Sequence, residues 1–225
     1  SEANDLAAQH PEKLKELKEL FWQDAEKYQV TPLLAGFAQF FGIKPPEPEP
    51  RNRFVFYSDA ENISAGMIPP IYNRSFTIAA DLDIPPTGAE GVIVAESDIM
   101  GGFALYVQDR KLRFTYSFLG IKVPTLTATE DLPTGKIQVR YEFTADEPGK
   151  MATGGRARLF VGEKLVGEST LERTVPLRFT TYAGMDIGRD NGEPVSESYR
   201  SRSPFAFTGK IGQVVFELPT APVPK

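Results

Sequence analysis

Gly91-Val-Ile-Val-Ala-Glu-Ser-Asp-Ile-Met-Gly-Gly-Phe-Ala-Leu-Tyr-Val-Gln-Asp-Arg-Lys-Leu-Arg-Phe-Thr-Tyr-Ser-Phe-Leu119 reads as three consecutive β-strands, and the fold is read outward from it. Phe103, Leu105 and Val107 fall on one face of the second strand. In the third, Leu112, Phe114, Tyr116 and Phe118 alternate with Arg113, Thr115 and Ser117, which is the period of two that a half-buried strand needs. Gln108-Asp109-Arg110-Lys111 is short enough for a tight hairpin, although Arg110 lacks the ease with which glycine takes positive φ in a primed turn.

The composition sets bounds on function. In 225 residues, 41% hydrophobic and 24% charged, there is room for one sizeable core and a smaller helical piece. A net charge of -5 offers no basic field for phosphates, so nucleic acid is not an expected partner. The absence of cysteine removes disulfides, thiolate metal sites and a cysteine nucleophile together. No apolar run approaches the roughly 18 residues of a membrane span, so no membrane partner is expected. Ser1-Glu-Ala-Asn-Asp5 carries neither an initiator Met nor a signal-peptide pattern, which reads as a mature or cut piece of something longer.

From Pro11 to Tyr28, Leu14, Leu17, Leu20, Phe21, Ala25 and Tyr28 recur at helical spacing opposite a charged face. Pro11 suits a first helical turn, Lys15 and Glu19 are spaced for an ion pair, and a short helix from Asp5 is expected before His10. Partners for the apolar stripe are Leu33, Leu34, Phe37, Phe40 and Phe41, or a surface elsewhere. Residues 1–43 are thus a helical segment, and 44–50, with prolines at 45, 46, 48 and 50, a stiff linker.

Residues 51–218 are strand-like. Strands are expected at Phe54–Tyr57, Ser75–Ile84, Val123–Ala128, Ile137–Phe143, 157–161, 165–170 and Gly209–Leu218, with a flexible tail at 219–225. At least nine short strands with turn signals between them predict a mainly β fold: an antiparallel two-sheet sandwich, jelly-roll or concanavalin-like. Helical periodicity is absent after residue 50.

Few residues carry chemistry. His10 is the single histidine: without cysteine it cannot assemble a His-rich metal site, and a Ser/His/Asp triad would have to be built from a residue outside the sandwich, so a structural or incidental reading comes first. Asp186-Ile-Gly-Arg-Asp-Asn-Gly-Glu-Pro-Val195 gathers Asp186, Arg189, Asp190, Asn191 and Glu193 in a glycine-rich loop. Its oxygens match Ca²⁺ chemistry, but Asp, Asn and Gly are also the usual turn formers, and the plain-loop reading comes first. Gly101-Gly102 reads as a bulge or tight bend ahead of a phosphate cradle, and Asp81 with Asp83 as a solvated strand face. Asn62 and Asn73 lie in glycosylation sequons. Tyr106, Phe160, Tyr182 and Tyr199 are not forced inward, and such rings either form a sugar platform or cover the second sheet.

At this point the residues resemble a known family. Glu12-Lys-Leu-Lys-Glu-Leu-Lys-Glu-Leu-Phe-Trp-Gln-Asp-Ala-Glu-Lys-Tyr-Gln-Val-Thr-Pro-Leu33 is similar to the helix that closes the catalytic domain of large bacterial arylsulfatases, with Gln29 where the family has asparagine. Gly91-Val-Ile-Val-Ala-Glu, Gly101-Gly-Phe-Ala-Leu-Tyr-Val, Thr115-Tyr-Ser-Phe-Leu-Gly, Glu172-Arg-Thr-Val-Pro-Leu-Arg-Phe and Asp186-Ile-Gly-Arg-Asp-Asn-Gly-Glu-Pro-Val-Ser resemble, in order, segments of the β-rich C-terminal region. The resemblance implies a parent hydrolase of sulfate esters, with a formylglycine made from a Cys/Ser-x-Pro-x-Arg motif and a Ca²⁺. This chain has neither that motif nor the metal ligands, so the implied role is non-catalytic, with no cofactor or catalytic residue of its own.

The expectation is therefore the C-terminal portion of an arylsulfatase, inactive alone, whose partner is the catalytic domain of the same polypeptide. In it the 186–195 loop would border the substrate cleft. The alternatives are a free-standing carbohydrate-binding sandwich and a structural domain forming a homo-oligomer through the N-terminal helix. A bacterial periplasmic or secreted setting is slightly favoured over the cytoplasm.

Overall fold

The computed structural model describes residues 5–28, 51–98, 101–179 and 182–219. The chain separates into two compact units, Ser1–Glu49 and Pro50–Lys225.

In the first unit the expected helix is present as α1, Pro11–Lys27, with Pro11 in its first turn. Ahead of it stands a turn instead of a second helix: the amides of Gln9 and His10 both donate to the Leu6 carbonyl. The five residues from Asp5 to Gln9 are too few to repay helix nucleation. Lys13 and Glu16 pair at 2.5 Å on the helix surface. Ala25 is buried, whereas Leu14, Leu17, Leu20, Phe21 and Trp22 are exposed. The residues expected to cover the stripe, and the 44–50 linker, lie outside the described residues.

The second unit is the antiparallel two-sheet sandwich that the alternation predicts. Its strands are β1 Arg53–Phe56, β2 Phe76–Ile84, β3 Gly91–Asp98, β4 Gly101–Gln108, β5 Lys111–Phe118, β6 Thr125–Thr127, β7 Gly135–Ala145, β8 Gly155–Val161, β9 Lys164–Leu171, β10 Met185–Ile187 and β11 Lys210–Glu217. One sheet has the order β1-β11-β2-β7-β8-β9, the other β10-β3-β4-β5-β6. Along β2 burial alternates residue by residue, as its sequence does. Phe76, Ile78, Leu82 and Ile84 face a core completed by Val139, Tyr141, Phe103, Leu105 and Phe114. Each such side chain contributes about 1.5–3 kcal/mol on leaving water. Across the sheets, Phe114 and Tyr141 stack with ring centroids 3.5 Å apart.

The hairpin between β4 and β5 forms with a two-residue turn in which Asp109 has φ 52° and Arg110 φ 61°. Non-glycine residues are held there by neighbours. Arg113 reaches Asp109 at 2.7 Å, Arg110 reaches Asp131 at 3.2 Å, and the Leu132 amide donates to the Arg110 carbonyl. Gly101 has φ 120°, and a Cβ there would meet the Ser117 carbonyl oxygen at 2.4 Å, so the glycine serves close strand approach, as a bend would.

β4 departs from the alternating pattern. It is buried on both faces because residues 195–205, including the 3₁₀ turn Glu197–Arg202, fold over the outside of its sheet. Val195, Tyr199 and Phe205 pack there on Val92, Ala95, Ala104 and Tyr106 as a second, smaller core. This turn is the helical element that periodicity did not show.

Candidate functional site

The 186–195 loop begins on β10, an edge strand paired with β3. Its open side is closed by residues 60–63: the Ile63 and Met185 amides exchange bonds with each other's carbonyls, and the Ile187 amide donates to Ala60. Asp186 is buried, with Met185 and Ile187 pointing into the core on either side of it. Its two oxygens accept from the amides of Asn62 at 2.7 Å and Asn191 at 3.2 Å. Gly188, at φ 85°, then turns the chain.

Asp190 is also buried and accepts from the Tyr199 hydroxyl at 2.7 Å and the Val195 amide at 3.2 Å. Burial and then the Asp190 charge push the Tyr199 hydroxyl well above its ordinary pKa, so this donor keeps its proton. Arg189 pairs with Glu61 at 3.2 Å, and the same glutamate accepts from the Asn191 amide nitrogen. Glu193 binds Arg200 at 2.5 Å, and Arg200 also holds Glu197. The five predicted residues thus share one loop, but they face different partners. Two carboxylates serve as acceptors for backbone and tyrosine, Arg189 and Glu193 form surface ion pairs, and the Asn191 side chain donates to Glu61. Among the described residues no group of three or more His, Asp or Glu could hold a metal ion. Among the described residues, both Asp186 oxygens are taken by backbone amides, so this loop does not fit a Ca²⁺ ion.

The other expectations resolve in the same way. Tyr106 and Tyr199 pack edge to face under the 195–205 cover, with centroids 5.0 Å apart, so they belong to the second-sheet covering and not to a platform. Phe160 lies under the Arg140 guanidinium at 4.4 Å, and Tyr182 is exposed. Asp81 accepts from Gln138 and Gln213 on the outer sheet face. Asn73 spends its side chain internally, donating to the Pro176 carbonyl and accepting from the Ala152 amide.

Three cavities lie at the end of the sandwich where β2 begins. One of about 430 Å³ runs from Gly101 and Ser117 to Glu193, Glu197 and Arg200, and so brings the predicted loop to this end. The next, about 700 Å³, has Tyr116, Phe118 and Leu171 among its lining residues, with Ile121, Lys122 and Arg173. Lys122 pairs with Glu172 across it, and that bond and charge hold the Glu172 carboxyl below its ordinary pKa.

The third, about 250 Å³, is lined by Ile68, Tyr72, Glu96, Leu177 and Arg178. Glu96 is 1% exposed. Burial pushes its carboxyl up to about 8, against the lowering effect of the Tyr72 hydrogen bond. Sequence reasoning missed Glu96, although a lone acid after the apolar run Val92-Ile-Val-Ala95 was the available signal.

No family model matches the chain, and no curated protein matches it. Solved structures do. Mouse laminin α1 chain domains LG4-5 align at TM-score 0.43 and 13% identity over 75% of this chain and 39% of that one. A heptameric SAP-like pentraxin from Limulus polyphemus aligns at TM-score 0.38 and 13% identity over 73% and 76%. The Crh5 transglycosylase aligns at 0.35 and 15% over 76% and 85%. The likeness is one of fold. The chain spans well under half of the laminin chain, and none of these three is named as a sulfatase.

Proposed function

We propose that this chain is the non-catalytic C-terminal portion of a sulfatase, a sandwich that completes a larger enzyme and borders its substrate cleft. One observation carries the reading. Of the five family-like segments after residue 50, three form β3, β4 and β5, and the fifth opens on β10, so all four strands belong to one sheet. The remaining segment, 172–179, crosses the end of that sheet and binds it through the Val175 amide and the Tyr116 hydroxyl at 2.7 Å. The precursor of a formylglycine is not in this chain, which has no cysteine and no serine followed by x-Pro-x-Arg. Reading the gene upstream of the Ser1 codon tests the proposal. A Cys/Ser-x-Pro-x-Arg motif with metal-binding aspartates in the same frame supports it, and an initiator or signal peptide there defeats it.

A second reading, a free-standing carbohydrate-binding module, is favoured by the architecture, a two-sheet sandwich of lectin type. Taken alone, the architecture speaks more for this reading than for a sulfatase. It predicts that the isolated chain binds glycans on an array, whereas the sulfatase reading predicts no such binding.

A further inference from the structure

Glu96 is sealed inside the sandwich, yet only one of its carboxyl oxygens is in use. Oε1 accepts from the Tyr72 hydroxyl at 3.2 Å, and among the described residues Oε2 has no hydrogen-bond partner. No described Lys or Arg forms an ion pair with it either. The groups that face it are the hydroxyls of Tyr72 and Tyr116, and Arg178 stands on the exposed side of the cavity they share. A buried polar atom left without a partner costs free energy, which a ligand that supplies the partner recovers.

Glu96 forms one wall of the cavity of about 250 Å³. Ile68, Pro70 and Tyr72 line it from one loop, and Leu177 and Arg178 from another. None of these five belongs to a strand, so the cavity can widen toward Oε2 without breaking a ladder bond. Tyr72 also accepts the Phe179 amide at 3.3 Å and so holds the second loop beside the acid.

The chemistry of the walls decides the occupant. A hard cation such as Ca²⁺ takes roughly 6–8 oxygens, and among the described residues Glu96 is the single acid of this cavity. A guanidinium binds a carboxylate best through two parallel bonds, and Oε1 is already engaged by Tyr72. A primary ammonium is a compact point charge that can spend one donor on one free oxygen. The methylenes behind it suit Ile68, Pro70 and Leu177.

We propose that this cavity binds a primary ammonium group on a short aliphatic chain, with Oε2 of Glu96 as its acceptor. The proposal goes beyond the sulfatase reading and does not depend on it. Burial pushes the Glu96 carboxyl up to about 8, so below that pH the ion pair forms with loss of the carboxyl proton. Titration of the 225-residue chain with n-butylamine, followed by the side-chain NMR signals of Tyr72 and Phe179, tests the site. Affinity should rise about tenfold from pH 7 to pH 9 as Glu96 ionises, and fall again above about pH 10 as the amine loses its charge. By the same linkage, the carboxyl-carbon signal of Glu96 should titrate at a lower pH in saturating amine. Glu96→Gln should weaken binding at least about tenfold, and n-butanol, of the same length without the charge, should not compete. The pH profile of the unaltered chain decides the matter even where the variant fails to fold. Nα-acetyl-lysine amide binding as tightly as n-butylamine would place the natural ammonium on a protein's lysine, and binding of n-butylamine alone would make it a free amine. No saturable shift at either pH, or an affinity that neither pH nor Glu96→Gln changes, overturns the site and leaves the sulfatase reading standing.

Discussion

The Tyr72 hydroxyl donates to Oε1 of Glu96 at 3.2 Å, and among the described residues Oε2 of Glu96 has no partner. The same hydroxyl accepts the Phe179 amide at 3.3 Å, which links the β3 acid to the segment that crosses the sandwich end. Burial and the neighbouring Glu96 raise the Tyr72 hydroxyl well above its ordinary pKa, so it stays a donor throughout the working range.

This buried acid makes stability depend on pH. Glu96 holds its proton more tightly folded than unfolded, its pKa rising from the ordinary carboxylate range to about 8. Between those values the native state binds more protons, so its contribution to stability falls as pH rises and levels off above about 8. Glu96→Gln keeps the shape and an acceptor for Tyr72 and removes the charge. At pH 9 it is expected to be more stable than the parent by on the order of 3–5 kcal/mol, and near pH 4 to match it. Urea unfolding at both pH values checks this, and parallel pH profiles for the two proteins would refute it.

The buried Asp190 and Tyr199 hold the 186–195 loop against the outer cover. Tyr199→Phe removes the 2.7 Å donor from a buried carboxylate, at a cost of about 1–3 kcal/mol. A loss of no more than a few tenths in denaturant unfolding would mean that the bond is dispensable.

Calcium is expected to leave the melting temperature unchanged, because both Asp186 oxygens already accept backbone amides. A rise in millimolar Ca²⁺ that Asp186→Asn abolishes would show the loop to be a metal site after all.

Asn73→Ala deletes two side-chain bonds that join separate loops, with an expected loss of about 2–3 kcal/mol. Exchange should quicken at residues 149–153 and 174–178 before anywhere else in the sandwich. Unchanged exchange there would show that the loops stand without this link.

Tyr141→Phe runs the other way. The Tyr141 hydroxyl is buried, and among the described residues it has no partner, while the ring stacks on Phe114. Removing only the oxygen is expected to be neutral or to stabilise by up to about 1 kcal/mol. A clear loss in thermal unfolding would reveal a partner for that oxygen.

The strand pattern was legible because burial on one face leaves a period of two, as β2 shows in Phe76–Ile84, whereas in β5 Thr115 and Ser117 are buried as well as Phe114 and Tyr116. It failed at β4, where Tyr106 and Ala104 look like an outer face and are buried by a segment ninety residues further on. The residues of the 186–195 loop were legible as a polar cluster, but their roles were not. Asp and Asn signal turns and metal sites alike, and only their partners separate the two.

By itself the sequence determined the helix and the antiparallel strands, because these depend on local periodicity. The tertiary structure alone decided that Asp186 and Asp190 are loop braces and that Glu96 is sealed beside Tyr72. Each of these depends on which distant residue occupies the space opposite, and the packing of two twisted sheets sets that distance.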